Sequence, residues 1–143
     1  MADHVEHMKS LHTVVIDARN GYEEALKDAE GRGLTPLFRD MMGLHQSHAE
    51  ALAADLVRHG HTPDEKGSFL SAIHRTVISI RSLFGGLDES ILPGLIDGEE
   101  RVLSYYDEAL SDCPPSETAS LATQRAELQD KIDRMKSMNA AVS

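Results

Sequence analysis

Two histidines three residues apart, His45 and His48 in "GLHQSHAEAL", are the side chains of this sequence best suited to chemistry. Neutral imidazole nitrogens bind iron, manganese or zinc, and a carboxylate commonly completes such a set. Glu99 and His74 are the carboxylate and the further imidazole that helical spacing would bring towards them. His45, His48, His74 and Glu99 are therefore the candidate metal ligands. The same residues also support a structural reading. A buried Glu99 paired with a protonated histidine or with Arg75, with a Tyr22 or Tyr106 hydroxyl closing the network, would fix helix register without binding anything. Leaving any of these groups buried and unpaired costs about 1–3 kcal/mol, so a partner is required either way. The structural reading is preferred, because di-metal bundles carry a Glu-x-x-His on each of two helices and no Glu-x-x-His occurs in this chain.

The remaining chemistry-bearing residues are expected to be bystanders. His4, His7 and His12 lie near a terminus that should fray, and His59 and His61 flank a loop, so none is taken as a ligand. Glu23, Glu24 and Glu100 fall off the apolar stripes and should be solvated. Cys113, the one cysteine, rules out an intrachain disulfide and a thiolate cluster for zinc. The 6 methionines read as core filler. No phosphate-binding glycine loop, nucleophile elbow or nucleophile with its base occurs. No catalytic or cofactor-binding residue is assigned, and hydrolase or transferase chemistry is disfavoured.

A chain of 143 residues with 41% apolar and 27% charged composition suits one soluble domain with one core. No run of roughly 18 apolar residues is available to span a bilayer, and "MADHVEHMKS" is not a secretory leader, so a cytoplasmic protein without a membrane role is expected. A net charge of −10 and the lack of any Lys/Arg cluster argue against nucleic acid as a partner.

In every segment the apolar residues recur at three and four, which predicts an all-helical chain. The first helix runs to about Glu30, with the stripe Leu11, Val15, Ala18, Tyr22, Ala25 or Leu26, and Ala29. The second begins at "TPLF", where Thr35 can cap and Pro36 fits the first helical position. Its stripe is Leu37, Met41, His45, His48, Leu52 and Leu56 or Asp55, and Gly60 ends it. Both histidines thus sit on the buried side. Ser68 caps a third helix with the stripe Leu70, Ile73, Val77, Ile80 and Phe84, beside which His74 lies. Ser90 caps a fourth, with Pro93 in its first turn and the stripe Leu92, Leu95, Glu99, Val102, Tyr106 and Ala109. Tyr22, His48, His74 and Glu99 all fall near helix midpoints, which implies a polar layer in mid-bundle. Gly21, Gly43 and Gly98 inside helices suggest close helix approach or room beside a polar layer, of which close approach is preferred.

Short links between four such helices give an up-down-up-down bundle over residues 1–112. Residues 113–143 form an amphipathic C-terminal helix appended to the same domain. Its stripe of Leu121, Leu128, Ile132 and Met135 is thinner and interrupted by Arg125. It would pack on the outside of the bundle or, alternatively, pair two subunits as a homodimer.

"GYEEAL" in the first helix, "GS" followed by "HR" in the third, and "GEE" with "YYDEAL" in the fourth carry a family resemblance. In order and spacing they resemble an uncharacterised bacterial family of ferritin-like four-helix-bundle proteins, a domain of unknown function, over roughly residues 8–111. The matching positions are Gly21, Tyr22, Gly67, Ser68, His74, Arg75, Gly98, Glu99, Tyr106, Ala109 and Leu110. The resemblance implies a ferritin-like bundle in a bacterial cytoplasm, with no established activity. The wider ferritin-like superfamily often holds two metals between carboxylates and histidines, a pattern from which the second and fourth helices here depart. The leading expectation is a non-enzymatic binding or structural protein with an unidentified protein partner. The alternative is an iron- or manganese-dependent oxidase or peroxidase, or a metal-binding protein, in which His45, His48 and Glu99 ligate and Tyr22 or Tyr106 orients the bound species.

Overall fold

Apolar side chains at every third or fourth position of a helix form one stripe, and stripes from several helices can leave water only by facing one another. The computed structural model describes residues 2–29, 34–63 and 92–142. Among these residues are four helices and no strand: α1 (Ala2–Ala29), α2 (Thr35–Arg58), α3 (Leu92–Ser111) and α4 (Pro115–Val142). The helix expected around Leu70–Phe84, with Ser68, His74 and Arg75, lies outside the described residues, as does the Ser90 cap.

Helix α1 packs along α2 and against α3, α3 packs along α4, and α2 touches α4 more lightly. Hence α1 faces α4, and α2 faces α3, across the core. Cross-helix pairs give the directions. The His4 and His59 rings adjoin at one end, while Tyr22 meets Phe38 further along, so α1 and α2 are antiparallel. Arg125 pairs with Asp107 and Lys136 with Glu100, so α3 and α4 are antiparallel too. Lys131 with Asp40, and His48 with Glu127, set α2 antiparallel to α4.

The α2 start differs from expectation. Leu34, not Thr35, occupies the cap position and makes no side-chain cap bond, while its carbonyl accepts the Phe38 N–H at 3.0 Å. Thr35 is already helical and buried. The stripe accordingly passes through Phe38 rather than Leu37, then Met41, His45, His48, Leu52, Asp55 and Leu56. Gly60 does end the helix, in the left-handed conformation at φ 81°, and the His61 N–H returns to the Leu56 carbonyl. On α3 the buried set is Leu92, Ile96, Glu99, Val102, Leu103, Tyr106 and Ala109, with Ile96 in the place expected for Leu95. Gly43 and Gly98 do not serve close helix approach, since a Cβ at either position would meet nothing within 4 Å.

The C-terminal helix is one of the four described walls rather than a thin outer layer. Leu121, Leu128, Ile132 and Met135 are 0% exposed and belong to the same core cluster as Leu11, Phe38 and Tyr106. Its stripe runs through Gln124 rather than breaking at Arg125. Spacings of three and four from Leu121 reach Gln124, Leu128, Ile132 and Met135 in turn, whereas Arg125 lies one position aside and pairs with Asp107 at 2.5 Å.

Candidate functional site

Among the described residues, three groups of polar side chains join different helices, beside other buried polar residues such as His12, Asp17 and Asp55. The first holds Tyr22 of α1, His45 of α2 and Glu99 of α3. His45 Nε2 stands 2.7 Å from Glu99 Oε2 and 3.0 Å from Oε1, and the Tyr22 hydroxyl donates to Oε2 at 3.2 Å. The Tyr22 and His45 rings are near parallel, with centroids 5.9 Å apart. All three residues are buried. Burial and the Glu99 charge push the Tyr22 hydroxyl well above its ordinary pKa, so it stays a donor. Nδ1 of His45 is buried and has no hydrogen-bond partner among the described residues.

One turn on, His48 belongs to a separate network with α3 and α4. Its Nε2–H donates to Glu127 Oε1 at 2.9 Å, and Nδ1 lies 3.2 Å from the Tyr106 hydroxyl. That hydroxyl also donates to Gln124 Oε1 at 2.9 Å, so its one proton is divided between two acceptors. Burial lowers the His48 pKa, and the Glu127 hydrogen bond offsets this only in part. His48 is thus neutral at pH 7, with Nδ1 as acceptor. Burial, with the Glu99 and Glu127 charges, raises the Tyr106 hydroxyl far above its usual range. Glu127 is half exposed and lines an open groove of about 450 Å³ between α2 and α4, together with Arg39, Asp40, Leu44 and Lys131.

The third group lies at the end of the bundle where α1 and α4 begin and α2 and α3 finish. His4, His59 and Glu117 meet there, with Asp112 and His7 beside them. His4 and Glu117 are buried, which differs from the frayed terminus expected for His4. The Glu117 carboxylate, from the first turn of α4, reaches the His4 ring at the start of α1. Helical spacing carries this information: the α1 stripe extended back from Met8 reaches His4, that of α2 extended past Leu56 reaches His59, and that of α4 extended back from Leu121 reaches Glu117.

Of the four expected ligands, the structure brings His45 and Glu99 together and turns His48 to different partners. His74 lies outside the described residues. Among the described residues, the three ligand-type side chains whose donor atoms all lie within 4.8 Å of one another are His4, His59 and Glu117; His45, His48 and Glu99 do not form such a group. The residues of the mid-bundle layer do not match the two-metal pattern of the ferritin-like superfamily, which needs a bridging carboxylate set and paired Glu-x-x-His motifs. His45 Nε2 and the Tyr22 hydroxyl both engage Glu99, while His45 Nδ1 has no hydrogen-bond partner among the described residues.

Fold and site together define an all-helical protein whose core carries hydrogen-bonded polar layers. The sequence matches the family model described as Domain of unknown function (DUF2383) over residues 3–112, and the chain belongs to that family. No curated protein and no solved structure shows a significant match. Helix α4, and with it Glu117, Gln124 and Glu127, lies beyond the matched stretch. No helix among the described residues is long and apolar enough to cross a membrane.

Proposed function

We propose that this chain is a non-enzymatic binding or structural protein of the bacterial cytoplasm, built as a ferritin-like bundle whose mid-bundle His, Glu and Tyr groups set helix register. The observation that carries this reading is the pairing of the layer. The His45 and His48 Nε2 atoms are each hydrogen-bonded to a different carboxylate, Glu99 and Glu127. A buried polar network accepts one register and penalises others, because a slip of one residue strands every donor and acceptor in it. The partner this reading calls for is protein, as a second copy of the chain or another polypeptide. The acidic surface repels nucleic acid.

One observation favours a second reading. The unpartnered Nδ1 of His45 would be relieved by a metal ion that took over Nε2 or Nδ1 beside Glu99, as in an iron- or manganese-dependent oxidase or peroxidase. Metal analysis of untagged protein, purified without chelator and offered ferrous iron, manganese or zinc anaerobically, tests the two readings. The expected result is a metal content that a folded Glu99→Gln, His48→Ala double variant leaves unchanged. Stoichiometric metal that vanishes in that variant overturns the structural reading and favours the oxidase.

A further inference from the structure

We propose that His4, His59 and Glu117 form a binding site for one zinc-class divalent cation that clips α4 to the start of α1 and the end of α2. This goes beyond the reading of the mid-bundle layer and does not depend on it.

The geometry carries the proposal. Two imidazoles from different helices aim the same nitrogen at one carboxylate: His4 Nε2 is 3.2 Å from Glu117 Oε2, and His59 Nε2 is 3.0 and 3.1 Å from Oε1 and Oε2. The rings converge edge to face, with centroids 5.8 Å apart and planes at 71°. Ligands held about 2.0–2.1 Å from a tetrahedral ion stand roughly 3.3 Å from one another. The observed spacings need only tenths of an ångström of adjustment on each nitrogen-to-oxygen edge. Two nitrogens and a carboxylate form a donor set that zinc uses with a fourth position open to water. His59, at 29% side-chain exposure, leaves that position a path to solvent.

The backbone holds the ligands in place. His59 terminates α2 with its N–H on the Asp55 and Leu56 carbonyls, and Gly60 turns the chain away. Glu117 sits in the first turn of α4, its N–H on the Pro114 carbonyl at 3.0 Å. His4 is 1% exposed, so little side-chain freedom is left to lose on binding.

For a neutral His4 ring, proton placement favours a cation over a bare hydrogen bond. If neutral His4 donates from Nε2 to Glu117, its Nδ1 lone pair faces Asp112 Oδ1 at 3.7 Å, buried and without a hydrogen-bond partner among the described residues. With a metal on Nε2 the proton moves to Nδ1 and points towards that carboxylate, the arrangement in which an outer carboxylate orients a metal-bound histidine. His7 Nδ1, 3.2 Å from Asp112, holds the outer carboxylate in turn. Arg58 approaches Glu117 Oε1 only to 3.9 Å, too far for a hydrogen bond, and pairs with Asp55 instead.

Calorimetric titration of untagged, chelator-stripped full-length protein with zinc chloride tests the site, with cobalt(II) as a spectroscopic probe. One equivalent of zinc should bind and raise the melting temperature. Glu117→Gln and His59→Gln should each weaken binding by at least about 100-fold, and Asp112→Asn by about 10-fold. Glu99→Gln should leave it unchanged. The cobalt complex should show visible ligand-field bands without a thiolate charge-transfer band, since the three ligands are two histidines and a glutamate. His59→Gln is the safer variant, because the side chain is partly exposed and the helix end is fixed by backbone bonds. Absence of saturable binding by folded wild type, or binding that folded Glu117→Gln and His59→Gln retain, would overturn the site and leave a hydrogen-bonded cluster. Equal loss in Glu99→Gln would overturn it as well, and would move the metal to the mid-bundle layer.

Discussion

His45 and Glu99 face each other across the core from α2 and α3, with Nε2 2.7 Å from Oε2 and neither side chain more than 3% exposed. These two helices do not pack directly on one another, so the pair is a polar strut through the middle of the bundle. The Tyr22 hydroxyl adds a second donor to the same carboxylate from α1, joining three helices in one network.

That strut should behave as an all-or-none unit. Glu99→Leu strands the His45 and Tyr22 donors and is expected to cost about 3–5 kcal/mol, as is His45→Leu. The double variant should recover much of the loss, because it removes the carboxylate and the imidazole together and leaves only the Tyr22 hydroxyl without its partner. Urea unfolding of the four proteins measures the coupling, and simple additivity of the single losses would show that the pair does not act as a unit.

Acid should destabilise the protein partly through His48. Its folded pKa lies below the ordinary value of 6.5, so the unfolded chain binds more protons than the folded one as pH falls through 6.5. Stability contributed by the neutral, buried ring is present above that pH and is lost on acidification until the lower folded pKa is reached. Below it the loss levels off. Stability curves at closely spaced pH values should show a shallower acid slope for His48→Gln, whose amide does not titrate, than for wild type; identical slopes would contradict this account.

Helix α4 should be required for the core. Leu128→Ala removes a side chain that is 0% exposed and is expected to cost about 2–5 kcal/mol. A helix lying loosely on the outside would lose far less. Measuring the same substitution beside Ala126→Ser, at an exposed neighbour, separates a core contribution from a change in helix propensity.

The sequence by itself determined that the described residues are helical, where α2 stops, and that His45, His48 and Glu99 lie on buried faces. These are local properties: spacing at three and four decides which residues share a face, and Gly60 decides where α2 can turn. It also narrowed the groups that could satisfy Glu99 to a histidine or Arg75 and to Tyr22 or Tyr106, because a buried carboxylate needs donors; the structure pairs it with His45 and Tyr22. Tertiary structure alone decided how those residues are shared out. His45 and His48, one turn apart, point to different neighbours because α2 faces α3 across the core and lies beside α4, a relationship no spacing within α2 encodes. It decided, too, that α4 is a wall of the bundle and that a histidine near the start of the chain is buried. His4, His59 and Glu117 are separated by dozens of residues, and only the common end of α1, α2 and α4 brings them within bonding distance.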